Sequence, residues 1–325
     1  MMNLNTFGVI LTCCQATHNG APSETKIHPI FSPVKNPDLT GTLHHFSNVP
    51  SQFINPRTVE VWLPPGYDKG DASRYAVLYM HDGQNLFESQ KSFSGVDWGM
   101  DETLAALCGE KEIPPTIVVG IWNTPQRLRE YLPQRPFCVH QSQRLRSRVI
   151  KRYGGAPISD NYLRFLVYEL KPFVDSRYRT RPEREFTFLM GSSMGGLISL
   201  YAICEYPQIF HGAGCLSTHW PIAHKPFSKY LKARLPEPGR HKIYLDYGNE
   251  ANRAGYRYRQ NRVERILKES GYEFGIDWLG NWYTGDPHSE TAWRARVQEP
   301  LRFLLKNDQR RLETTAYTRR SDYVS

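Results

Sequence analysis

No apolar run in this 325-residue chain reaches the roughly 18 residues that a membrane-spanning helix needs, so no such helix is expected. Cysteine is scarce. The six residues Cys13, Cys14, Cys108, Cys138, Cys204 and Cys215 form no Cys-x-x-Cys pair and no Cys/His cluster with metal-ligand spacing. Cys204 and Cys215 fall in an expected helix and strand, as buried free thiols would. The pattern leans toward a reducing, cytoplasmic setting. The short apolar stretch Phe7–Cys14 keeps export open, although it lacks a basic n-region and a small-residue cleavage site. No helix-turn-helix or other nucleic-acid motif accompanies the net charge of +9. Acidic residues are locally missing too: between Arg127 and Arg152 there are eight basic residues and one acid, Glu130. Such a run reads as a solvated loop or as a rim that attracts an anionic substrate. A second basic cluster, Arg310, Arg311, Arg319 and Arg320, closes the chain.

The most informative segment is Gly191-Ser192-Ser193-Met194-Gly195-Gly196. It follows the apolar run Phe186–Met190 and precedes the helix-like run Leu197–Ile203. A Gly-x-Ser-x-Gly between a strand and a helix is the pattern of a nucleophile elbow. The serine must sit on a sharp turn to project above a sheet, and flanking glycines let strand and helix approach closely. Ser193 has the symmetric glycine flanks; Ser192 does not.

Around this point strands and helices alternate. Leu43–Phe46, Thr58–Leu63, Tyr75–Met80, Thr116–Ile121, Gly212–Ser217, Lys242–Asp246 and Phe274–Leu279 read as further strands. Asp101–Leu107, Ser159–Val174, Tyr258–Ser270 and Thr291–Lys306 read as helices. The alternation predicts an α/β fold, a mostly parallel central sheet with helices on both faces. Residues 1–40 are expected to form an irregular extension and 41–306 one catalytic domain. A basic insertion at 134–157 would serve as a cap, and 307–325 as a tail.

A serine nucleophile needs a base, an orienting acid and an oxyanion hole. His288, in Gly285-Asp286-Pro287-His288 ahead of the closing helix, has the chain position of the base. His211, His219, His224 and His241 lie too early. The acid belongs just past the strand Lys242–Asp246. Glu250 is favoured there, Asp246 is the alternative, and Asp277 is poorly placed. The amides of Met194 and Gln84 are the expected oxyanion donors, the latter from the turn His81–Phe87. His81 and Asp82 lack a third ligand for a metal, so neither metal nor cofactor is expected. Arg129 and Tyr131, near Arg127 and Glu130, are expected on the substrate rim.

The segments Val59–Tyr67, Tyr75–Phe87 with His-Asp-Gly-Gln-Asn-Leu-Phe, Trp98–Asp101, Gly191–Gly196 and Ala292–Arg296 resemble the putative esterase family of α/β-hydrolases. That family includes enterochelin esterase-like proteins, feruloyl and acetyl xylan esterases and S-formylglutathione hydrolase. The similarity runs from about residue 43 to 306. It implies the α/β-hydrolase fold, a Ser-Asp/Glu-His triad on Ser193 and His288, and carboxylic ester hydrolysis without cofactor. A small-molecule or carbohydrate ester would be the substrate. The match weakens at the acid: where relatives carry Leu-Asp after the Asp-Tyr-Gly-Thr stretch, this chain reads Asn252-Arg253. The alternatives are an acyltransferase on the same scaffold, or a binding protein with an impaired triad.

Overall fold

The computed structural model describes residues 29–306, except 35, 70–71, 140–141, 222–223 and 250–254. Glu250, Asn252 and Arg253 therefore lie outside the described residues, as do Phe7–Cys14 and the tail.

Among the described residues one nine-stranded sheet organises the molecule. Its strands are β1 (Ile30–Pro33), β2 (Thr42–Val49), β3 (Arg57–Leu63), β4 (Ala76–His81), β5 (Thr116–Ile121), β6 (Thr187–Ser192), β7 (Gly212–Leu216), β8 (Lys242–Tyr247) and β9 (Trp278–Trp282), in the order β1-β2-β3-β5-β4-β6-β7-β8-β9. The first three strands and β5 pair antiparallel, and every pairing from β5 to β9 is parallel. The swap of β4 and β5 puts β4 beside β6, so the turn after His81 meets the turn after Ser192.

The strands β4, β5 and β6 are buried throughout, because helices cover both faces. Their side chains divide between two apolar cores. Val77, Tyr79, Ile117 and Val119 enter one, with Leu163 and Leu197; Leu78, Met80 and Val118 enter the other, with Leu104 and Leu301. This is the two-residue period of strands feeding opposite faces.

The helices are α1 (Met100–Gly109), α2 (Arg127–Glu130), α3 (Gln134–Val139), α4 (Gln143–Tyr153), α5 (Ser159–Phe165), α6 (Lys171–Arg177), α7 (Met194–Glu205), α8 (His224–Arg234), α9 (Tyr256–Glu269), α10 (Glu290–Arg296) and α11 (Gln298–Leu305). Every residue of α7 is buried, as befits a helix that is apolar all round.

Several expectations are corrected here. Ile30–Pro33, in the stretch read as irregular, is an exposed edge strand paired with β2. The last strand lies later than Phe274–Leu279. Gly275 turns left-handed (φ 82°), its amide donates to the Trp278 carbonyl, and Asp277 accepts from the Glu273 amide, so this segment is a turn and pairing starts at Trp278. The helix read over 159–174 contains a π-helical segment, Leu166–Leu170, between α5 and α6. The closing helix breaks at Val297 into α10 and α11. The basic insertion is largely helical, as α3 and α4.

Candidate active site

Ser193 stands between β6 and α7 with φ 54° and ψ −115°, a backbone conformation that L side chains rarely adopt. Its neighbours enforce the turn. The Ser193 amide donates to the Leu216 carbonyl (2.8 Å), and the Ser193 carbonyl accepts from the His219 amide (2.9 Å). A Cβ on Gly191 would stand 3.0 Å from Gly195 backbone atoms, and one on Gly196 2.8 Å from Thr218 Oγ1. Strand and helix are thus in backbone contact, which only glycine permits. Of Gly191–Gly196, Ser193 alone is not buried; Ser192 is. Met194 opens α7, where an amide has no acceptor within its own helix.

The turn after β4 lies against this elbow. A Cβ on Gly195 would touch the His81 Cβ at 3.3 Å and the Asp82 carboxylate at 3.5 Å. Asp82 is left-handed (φ 59°, ψ 45°) and starts the short 3-10 turn Gly83–Asn85 that contains Gln84. Gly83 packs directly on the Gly120 backbone, which leaves no room for a side chain. The Asp82 carboxylate accepts from Arg127 Nε and a terminal guanidinium nitrogen, both at 2.6 Å, and from Asn123 Nδ2 at 2.7 Å. Burial opposes the Asp82 charge, but the Arg127 guanidinium outweighs it and holds the carboxyl below its usual range. His81 Nδ1 shares a hydrogen bond with Tyr162 (2.8 Å), and its ring packs on Tyr131. Burial pulls the His81 imidazole down to about 3, so it is neutral at physiological pH.

The rim residues fall differently from expectation. Tyr131 is wholly buried under the Arg127 guanidinium, and burial pushes its phenol well up. It supports the rim from below instead of lining it. Arg129 donates to the Ala156 carbonyl (2.9 Å), tying α2 to the chain after α4.

His288 sits on the loop between β9 and α10, its ring edge-on to Trp293 at 4.9 Å. A buried arginine on α10 organises this side. Arg296 bonds both Asp246 oxygens (3.0 and 3.2 Å), Asp286 (2.8 Å) and Ser217 Oγ (3.1 Å). Asp246, fully buried, also accepts from the Ser217 amide at 2.8 Å. It ties together the ends of β7 and β8. Past β8, the Asn249 amide donates to the Asp286 carbonyl (2.7 Å) and Asn249 Nδ2 to the Gly285 carbonyl (3.0 Å). The loop leaving β8 is thereby clasped to the loop that carries His288. Asp277 caps its own turn, away from this clasp.

His219, set aside on chain order, stands beside the elbow through its bond to Ser193, and its Nε2 shares a hydrogen bond with Tyr153 (3.2 Å). Burial, then the charges of His288, Arg152, Arg127 and Arg259, pulls its imidazole down to about 4. The signal was its place just past a parallel strand's carboxyl end, where open α/β sheets form their crevice. No group of three or more His, Cys, Asp or Glu gathers as metal ligands among the described residues, and none of their helices is long and apolar enough to cross a membrane.

Comparison with known proteins adds the following. The uncharacterized protein YbbA of Bacillus subtilis is 25% identical over 223 residues, covering 66% of this chain and 80% of that protein. A ferulic acid esterase structure superposes with a TM-score of 0.58 at 15% identity, covering 82% of this chain and 98% of the other. The enterobactin esterase of Shigella flexneri superposes with a TM-score of 0.59 at 18% identity, covering 82% of this chain and 60% of the other. At such identities the superpositions establish the fold, which is that of the α/β-hydrolases. The family model described as "Putative esterase" matches residues 51–304. The chain belongs to the putative esterase family, and is a carboxylic ester hydrolase.

Proposed function

We propose that this chain hydrolyses its ester through an acyl-enzyme formed on Ser193, with His288 as general base and Glu250 as the orienting acid. The reading rests on one observation above all: Ser193 is the unburied member of a strained strand-to-helix turn, in a chain of the esterase family. His288 takes the Ser193 Oγ proton as the oxygen attacks the ester carbonyl. The tetrahedral oxyanion is held by the amides of Met194 and Gln84, both at starts of helical turns. His288 then gives its proton to the departing alcohol. Water enters and attacks the acyl carbonyl while losing a proton to His288, which passes that proton to Ser193 Oγ as the acid departs.

Glu250 follows Asn249, which is bonded to the two residues just before Pro287-His288. That clasp supports Glu250 over Asp246, whose oxygens are embraced by Arg296. The test is hydrolysis of 4-nitrophenyl acetate and butyrate by wild type and Ser193→Ala. Loss of turnover in the folded variant, with an acyl adduct on Ser193 in quenched wild type, is expected. Equal turnover in both would overturn the assignment.

A further inference from the structure

We propose that the mouth of this site is an anion subsite, in which Arg259 and Arg152 flank His219 and hold a carboxylate or phosphate group carried by the ester. The inference rests on the hydrolase reading above and adds the substrate's charge. Three segments distant in sequence are fastened together here. At the start of α9, Tyr256 donates to the Thr218 carbonyl (2.9 Å), and Gln260 accepts from Trp220 Nε1 (3.1 Å). Those two bonds bracket His219, and Arg259 lies between the two residues that make them. On the other side, the end of α4 reaches His219 through Tyr153, the residue after Arg152. Burial is the main cause of the depressed basicity of His219, and the charges of Arg152 and Arg259 add to it.

Several other arginines of the fold have carboxylate partners. Arg127 pairs with Asp82, Arg135 with Glu205, Arg294 with Asp97, and Arg296 with Asp246 and Asp286. Arg259 and Arg152 have no carboxylate partner among the described residues. The Arg259 Nε–H is buried without an acceptor, although a buried donor ordinarily has one. Nor does the chain supply an acid between Glu130 and Asp160, the stretch that includes α3 and α4. A planar guanidinium beside a second cation, with an unsatisfied buried donor, is suited to a bidentate oxyanion.

The test compares three acetate esters with leaving phenols of similar acidity: 3-acetoxybenzoate, 3-acetoxyphenyl phosphate and neutral 3-acetoxyanisole. The expected kcat/KM is about 10-fold or more higher for at least one anionic ester than for the neutral one, the effect of one charge-assisted hydrogen bond. Whichever anionic ester is preferred identifies the group. In Arg259→Gln the anionic-to-neutral ratio should fall about 10-fold, carried by KM. The exposed Arg152→Gln is the second variant should Arg259→Gln fail to fold. Equal rates for all three esters, or an unchanged ratio in both variants, overturns the subsite. If none is turned over in a Ser193-dependent way, the hydrolytic mechanism falls separately. Calorimetric titration of 3-hydroxybenzoate and inorganic phosphate into wild type and variant then decides: weaker binding in the variant supports the subsite, and no binding to wild type overturns it.

Discussion

The two flanks of the site are built by different means. On the nucleophile flank, position comes from backbone against backbone: Gly191 on Gly195, Gly196 on Cys215, Gly83 on Gly120. On the base flank it comes from charge: one buried guanidinium, Arg296, gathers Asp246 of β8 with Ser217 and Asp286 from the loops after β7 and β9. The first kind of support is short-ranged and intolerant of added atoms. The second spans residues up to 79 positions apart, and fails when one ion is left alone in the interior.

Five substitutions and one titration test that contrast. The largest effects fall where the flanks meet. Ser193→Ala and His288→Ala should each lower kcat/KM by about 10⁴-fold or more on 4-nitrophenyl butyrate with little change in Tm, whereas Glu250→Gln should cost less, about 10³-fold. Asp246→Asn should act mainly on stability. It removes half of a buried ion pair and leaves Arg296 undercompensated, for about 3–5 kcal/mol in urea unfolding. If Asp246→Asn instead abolished turnover at unchanged stability while Glu250→Gln did not, the acid would be reassigned to Asp246. Gly191→Ala should cost about 1–3 kcal/mol, because its Cβ meets backbone that cannot rotate away. A tolerated alanine would mean that the elbow yields.

The smallest effect is a pH dependence. His219 and His81 titrate at about 4 and about 3 in the fold, against an ordinary 6.5. The unfolded chain therefore binds protons that the native protein does not between pH 6.5 and those values. Stability from these neutral histidines is fully present above pH 6.5 and is lost as pH falls through that window. Scanning calorimetry should show Tm declining from pH 7 to 4.5, with the decline smaller in His219→Gln by on the order of 5 °C.

The nucleophile flank was legible in the sequence because its logic is local. The glycine spacing, the apolar strand and the apolar helix lie within Thr187–Glu205, and both elements form there, buried at every position. The base flank was legible only in outline. His288 can be placed by chain order, but nothing near Asp246 in sequence announces Arg296 as its partner. His219 escaped for the same reason: its nearness to Ser193 arises from β7 lying beside β6, not from spacing along the chain. The last strand was misplaced because Phe274, Ile276 and Trp278 alternate like strand residues while Gly275 and Asp277 bend the backbone into a turn. The helix α8 went unread, since Pro226 and its cations obscure the apolar Phe227, Tyr230 and Leu231.

The backbone of Ser193 carries a further consequence. A left-handed φ of 54° suits glycine better than serine, so the residue assigned the chemistry sits where the polypeptide itself would prefer a different amino acid. Stability and reactivity pull in opposite directions at this position. The buried helix α7 and the glycine contacts around it supply the rigidity that lets an unfavourable local geometry persist. A lineage freed from the need for ester cleavage would be expected to relax first here, because selection for the side chain alone holds the strain in place.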